Sequence, residues 1–242
     1  MVFSLTGKAN PWPIFPWNLF SLYSTPLILF GDNYPLDADG ALIISHSRFR
    51  VVGSADFNMY SIHGEFFSQT GDTSSKHNIG DVEINDSISP IFSKDSTYKI
   101  FGMDFSQDTA FTWKFFPQGV NNIVQVPAVF TTTKPLFNIN SINLANVDTN
   151  VYRGQGFSFS HSIIAADSVV YIFSSDTFKI QKSVIGPSSS IIFTPAEMLS
   201  LPQSDNGGFF MIIYNVMPAT FNGKKYYFQN NSSAIVGTLH VY

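Results

Sequence analysis

The chain has 242 residues and no cysteine, so it can bury a sizeable core but has no disulfides, cysteine-based zinc sites or thiol nucleophiles. Its net charge is −4, and the 13 Lys and Arg residues are scattered apart from Lys224-Lys225. That excludes general nucleic-acid binding, which needs clustered cations to displace counterions from phosphate. Charged residues make up only 12% of the chain, so Ser, Thr and Asn supply the polar surface, a composition that suits exported proteins. No run reaches the roughly 18 apolar residues that cross a bilayer as a helix. Lys8 is the only early cation and prolines follow it, so a signal peptide is not legible; if the protein is exported, the expectation is that its targeting piece has already been removed.

Residues 10–35 come first and are unlike the rest. Asn10-Pro11-Trp12-Pro13-Ile14-Phe15-Pro16-Trp17-Asn18-Leu19-Phe20 leads into Leu22-Tyr23 and Pro26-Leu27-Ile28-Leu29-Phe30. Prolines among the rings prevent a regular helix and remove ladder donors, which predicts extended or irregular backbone. Two readings stand for these rings: they cover the open end of a sandwich core, or they form an exposed surface that docks on a partner or stacks on sugars. Asp37-Ala38-Asp39-Gly40 has part of the spacing of a calcium loop, but no further oxygen ligand and distal Glu follow at the required positions, so it reads as an acidic turn.

Strands are expected at Ala41–Ser45, Phe49–Gly53, Asn58–Phe67, Gly80–Ile84, Tyr98–Phe101 and Ala110–Phe115. In the last, Phe111, Trp113 and Phe115 alternate with Thr112 and Lys114, the pattern of a half-buried strand with a large inward face. Thr131-Thr132-Thr133-Lys134-Pro135 favours extended backbone and marks an expected domain boundary. A second strand series follows at 137–144, 156–161, 169–173, 178–184, 191–193, 209–214, 225–229 and 235–242. Short β-branched and aromatic runs broken by Ser, Asp, Gly and Pro are the grammar of a sandwich or barrel. One helix is expected, at Thr194-Pro195-Ala196-Glu197: Thr at the N-cap, Pro at the first helical position and Glu three residues after the cap form a capping box, with Met198, Leu199 and Leu201 supplying its buried face.

No arrangement of these residues fixes a reaction. His46, His63, His77, His161 and His240 lack metal-ligand spacing. Arg153-Gly154-Gln155-Gly156 precedes a strand and so cannot present a helix N-terminus to phosphate. The three glutamates are Glu65, Glu83 and Glu197, and Glu197 is already assigned to the helix cap. Neither they nor Asp56, Asp104 and Asp108 are spaced as a selected carboxylate pair. No catalytic residue, cofactor or metal site is therefore expected.

Gly80-Asp81-Val82-Glu83-Ile84-Asn85-Asp86, the Tyr98 strand and Thr112-Trp113 resemble a pattern of many uncharacterised exported Bacteroidetes proteins. So does the tail, in Ser190–Leu199, Gly208-Phe209-Phe210, Tyr214-Asn215 and Gly223–Phe228. The resemblance implies tandem β-sandwich surface proteins, often lipid-anchored at the outer membrane, and carries over no active residues. The long aromatic N-terminus and the missing lipobox cysteine depart from it and suggest attachment through a partner protein.

The expected fold is all-β: two tandem immunoglobulin-like antiparallel sandwiches, residues 31–132 and 133–242, the second with one short capped helix, preceded by an aromatic and proline-rich segment, residues 1–30. The expected function is a non-catalytic cell-surface or secreted protein that works through protein–protein contacts, as an accessory subunit of an outer-membrane or envelope assembly. Trp12, Phe15, Trp17, Phe20 and Tyr23 are its expected partner-binding residues. The alternative is a carbohydrate-binding module in which exposed rings such as Trp12, Trp17, Tyr23 or Tyr227 stack on sugars.

Overall fold

The alternation at Phe111, Trp113 and Phe115 puts all three rings in the core, while Thr112, Lys114 and Phe116 on the opposite face are only half-buried. The computed structural model in which this is seen describes residues 37–51, 56–72, 74–76, 78–86, 91–92, 98–101, 111–117, 128–132, 137–163, 165–221 and 223–242. The described strands are β1 (Gly40–Val51), β2 (Phe57–Phe66), β3 (Gly80–Ile84), β4 (Ile91–Phe92), β5 (Tyr98–Phe101), β6 (Phe111–Pro117) and β7 (Ala128–Thr132), followed by β8 (Asn150–Val151), β9 (Phe157–Ile163), β10 (Ser168–Ser175), β11 (Phe178–Ile185) and β12 (Ser188–Phe193). One helical turn, α1 (Pro195–Met198), precedes β13 (Ser204–Phe221) and β14 (Lys224–Val241). The chain is all-β with a single short helix among the described residues.

One large sheet runs in the order β11-β10-β13-β14-β1-β2-β5-β4, with β8 added on β14. Strands from both sides of residue 133 thus share it. Its spine is the hairpin of β13 and β14, each 18 residues long, closed at Gly223 with φ +76°. All pairings in the sheet are antiparallel except β14 with β1 and with β8, which are parallel.

Two smaller sheets, β3-β6-β7 and β9-β12, pack on the same face of the large one. This follows from the alternation along β14. Tyr226 and Phe228 meet Trp113 and Phe115 in one core. Ala234 and Val236 point the same way, six and eight residues beyond Phe228, and meet Phe157, Phe159 and Phe193 in another. The alternate side chains of β10, β13 and β14 form a third apolar cluster on the opposite face: Val170, Ile172, Phe210, Ile212, Tyr214 and Ile235, joined by Phe49 of β1.

The structure departs from the sequence expectation in several places. Residues 137–144 are not a strand but belong to two 3-10 turns, Ile139–Ser141 and Leu144–Asn146. The side chains of Asn138 and Asn143 accept the N–H two residues on, offering the backbone a local alternative to a ladder. The two strands expected over 41–53 are one, β1, and the two expected over 225–242 are one, β14. In β14 the polar run Gln229-Asn230-Asn231-Ser232-Ser233 is buried in mid-strand. It is tolerated because partners are at hand: Ser233 donates to Ser47 (2.7 Å), Gln229 to Asn231 (2.6 Å) and Ser232 to the Phe137 carbonyl (2.8 Å).

The capping box of α1 forms as expected. Glu197 N–H donates to Thr194 Oγ1 (3.3 Å) and Thr194 N–H to Glu197 Oε2 (2.7 Å). Met198 and Leu201 are buried, but Leu199, expected on the same face, is exposed. A Thr194→Ala variant is expected to lose about 1 kcal/mol, read as a lower urea midpoint at unchanged m-value. An unchanged midpoint would mean that packing alone holds the turn.

Candidate functional site

The first surface of interest is the edge of the large sheet. Among the described residues β11 pairs only with β10, and Lys179 and Lys182 on it discourage strand-to-strand association. Phe178, Ile180 and Lys182 share one face of β11. Ile180 is packed against the core, whereas Phe178 is more than half exposed. Lys182 Nζ donates to the Ile192 carbonyl of β12 (2.8 Å), pairs with Glu197 (2.8 Å) and lies 5.4 Å from the centre of the Phe193 ring. With the Thr194 N–H, Lys182 holds the Glu197 carboxyl down at about 2. On the elements that carry this pair, Phe178 of β11, Ile192 of β12 and Leu199 just after α1 are each more than half exposed.

The second surface lies where β8 joins β14. The parallel register sets Asn150 beside His240, and Val151 beside Val241; the latter two enter the core. Tyr152 and Tyr242, one position further on, stack at 5.3 Å between ring centres, and His240 continues the row at 6.3 Å from Tyr242. Both tyrosines are about half exposed. Asp205 fixes the imidazole through His240 Nδ1 (2.9 Å). Beside Tyr152 is a cleft of about 240 Å³ lined by Asp148, Asn150, Gln155, Phe157 and Ser158. Arg153 anchors this corner by donating to the carbonyls of Leu201 (2.6 Å) and Tyr242 (3.2 Å).

The acidic groups singled out by the sequence serve as clasps. Asp37 accepts from Lys225 Nζ (2.5 Å) and Tyr227 Oη (2.7 Å); Asp39 accepts from Thr70 Oγ1 (2.6 Å) and the Lys225 N–H (2.7 Å). Tyr227, considered above for sugar stacking, has Lys225 over its ring at 5.2 Å. Glu65 is buried; burial pushes its carboxyl up, but hydrogen bonds from His63 (3.0 Å) and Lys76 (2.7 Å) outweigh that and hold it below the ordinary 4.5. His161, bonded through Nε2 to Tyr171 Oη (2.7 Å), is lowered from 6.5 by burial. His46 contacts Asn58 and stacks on Tyr60.

Both shifts are downward, so in both cases the unfolded chain binds protons before the folded one does. The His161 contribution is complete above pH 6.5 and is lost as the pH falls through its lower folded value. The Glu65 contribution is complete above pH 4.5 and is lost below it in the same way. Unfolding midpoints are therefore expected to decline in two stages on acidification. Glu65→Gln should flatten the lower stage; a variant as steep as the parent there would clear Glu65 of the role.

Trp12, Phe15, Trp17, Phe20 and Tyr23 lie outside the described residues, as does His77. Sequence reasoning missed Tyr152, Tyr242, Phe178 and Ile192 as surface residues. In a β-chain an exposed ring and a core ring are spelled alike, and only the pairing of β8 with the end of β14 brings Tyr152 to Tyr242. Among the described residues no group of three or more His, Asp or Glu side chains is placed to hold a metal ion, and no helix is long and apolar enough to cross a membrane. Comparison of the chain with family models, with curated proteins and with solved structures gives no match.

Proposed function

We propose that this is a non-catalytic cell-surface or secreted protein that works through contact with a partner protein, as an accessory subunit of an outer-membrane or envelope assembly. The observation that carries the reading is the exposure of Phe178, Ile192 and Leu199 on the three elements beside the Lys182–Glu197 pair. Large apolar side chains left exposed near a sheet edge fit the anatomy of a protein contact surface. The low charge and hydroxyl-rich surface support the extracellular address. In this reading each small sheet, with its share of the large one, is the counterpart of one immunoglobulin-like sandwich of the tandem, and the long hairpin joins them.

The test is purification of the native protein from its own membrane fraction beside a triple variant, Phe178→Ser, Ile192→Ser and Leu199→Ser. The parent is expected to carry an envelope protein in fixed stoichiometry, and the variant to lose it while its stability stays within about 0.5 kcal/mol per exposed site. A parent that purifies alone, or a variant that keeps the same companion, rejects the reading.

A second reading has its own observation. The exposed Tyr152–Tyr242–His240 row beside a cleft lined with Asp, Asn and Gln offers ring faces and planar hydrogen-bonding groups together, the combination that suits a saccharide. A glycan array is expected to give hits that weaken about tenfold in Tyr152→Ala, about 1.4 kcal/mol; an empty array, or hits indifferent to Tyr152, removes it.

A further inference from the structure

Tyr152 and Tyr242 stack at 5.3 Å between ring centres with 26° between their planes, too close for rings that lie side by side in one plane. Tyr242 therefore covers one face of Tyr152 and leaves the other open. Of the aromatic row, Tyr152 lines the neighbouring cleft, whereas Tyr242 and His240 do not. The row thus offers the cleft a single ring face, not a flat floor for a run of sugars. At about 240 Å³ the cleft falls below the roughly 300–1,000 Å³ of pockets that enclose drug-sized ligands, so its capacity is about one sugar ring.

The walls are polar, and their charge is negative. Asp148 supplies a carboxylate, fixed in place because its Oδ1 accepts the Asn150 N–H (2.9 Å). Asn150 and Gln155 add amides, which donate as well as accept. No Lys or Arg is among the described residues that line the cleft. The guanidinium next along the chain, that of Arg153, is engaged by the carbonyls of Leu201 (2.6 Å) and Tyr242 (3.2 Å). Acceptors and amide donors together match sugar hydroxyls, whereas a carboxylated sugar would meet Asp148 with no cation to offset it. The platform is also held before a ligand arrives. Tyr242 N–H donates to the Val151 carbonyl (2.9 Å), Arg153 N–H to that of Tyr242 (3.0 Å) and Gln155 N–H to that of Tyr152 (2.9 Å), which fixes the backbone on both sides of Tyr152.

On the second reading, in which this corner holds a saccharide, we propose that the site takes one terminal, uncharged hexose residue. The sugar lies on the open face of Tyr152, and its hydroxyls are shared by Asp148, Asn150 and Gln155. The rest of the glycan leads out into solvent. Neither the interior of a linear polysaccharide nor a uronic acid is accepted.

Saturation-transfer NMR titrations of the full-length protein test this, using the methyl glycosides of glucose, galactose and mannose and the uronides of the same configurations. A neutral glycoside is expected to bind, and its uronide to bind about tenfold more weakly or worse. Asp148→Asn, which keeps an acceptor for the Asn150 N–H, should bring the two within about threefold. A linear hexasaccharide of the same sugar should bind within about threefold of the single residue, because only its end enters. A uronide that binds as well as its neutral counterpart, a difference that survives Asp148→Asn, or a hexasaccharide about tenfold tighter than the single residue overturns this assignment. Those outcomes leave Tyr152-dependent sugar binding, and with it the second reading, in place. Absence of any binding that Tyr152→Ala weakens overturns both.

Discussion

Phe228→Ala is expected to cost about 3–5 kcal/mol. The ring is almost fully buried, with Trp113 at 5.6 Å and Phe115 at 6.3 Å between ring centres, and it is flanked in the sheet by Leu42 and Met217. Those neighbours are held by two sheets at once, so the cavity has little room to collapse. For a chain of this size a loss on that scale lowers the unfolding temperature by about 6–20 °C. The more informative outcome concerns extent. Phe228 sits in β14, which also carries Ala234 and Val236 into the core under β9 and β12. One transition, shifted equally for probes at Trp113 and at Tyr171, is therefore expected. Early melting of the Trp113 end alone would show that the hairpin does not couple the two cores. Ile185→Ala, at an almost fully exposed position, is the control and should stay within about 0.5 kcal/mol.

Gly156→Ala is the second large effect. Gly156 has φ +77° and ψ −171°, a region open essentially to glycine alone, and a Cβ there would stand 2.7 Å from the Phe193 carbonyl oxygen and 3.2 Å from Pro195. Backbone strain of about 1–3 kcal/mol adds to a similar overpacking term, for a total of about 2–5 kcal/mol. The contact is with backbone, so no side chain can swing away to relieve it. Gly154, two residues earlier, has open space around its Cβ position and an ordinary φ; Gly154→Ala should be neutral or gain about 0.4–1 kcal/mol. Equal behaviour of the two variants in urea melts would refute the steric account.

The pair also shows where the sequence is readable. Arg153-Gly154-Gln155-Gly156 announces a turn before a strand, but not which glycine is indispensable, because that depends on Phe193, nearly forty residues away. Local signals were legible in the same way: the capping box at Thr194, the limits of β3 and β5, and the inward rings of β6. What escaped was decided by distant partners. The polar residues 230–233 fall between two expected strands, yet β14 runs through them because Ser47 and the Phe137 carbonyl supply hydrogen bonds. The expected strand 209–214 continues through Met217-Pro218-Ala219 in β13; beyond Tyr214 its described partner strand is β14, while Asp167 accepts the Val216 N–H at 2.7 Å. The tyrosines divide likewise: Tyr171 and Tyr214 are core, Tyr152 and Tyr242 are surface, and alternation alone does not separate them.

The parallel pairing of β1 with β14 has a consequence for biogenesis. Asp39 reaches the Lys225 N–H across 186 positions of chain, so β1 runs beside a strand that is made long after it. A nascent chain that has already made β1 through β7 still holds an unclosed ledge between β1 and the place of β14, with Leu42 and Ile44 facing an unfinished core. Closure over so long a loop is slow, and an open ledge of that kind invites foreign strands. A polypeptide laid out in this order gains from a chaperone, or from crossing a membrane before it folds, because β1 is completed only by β14.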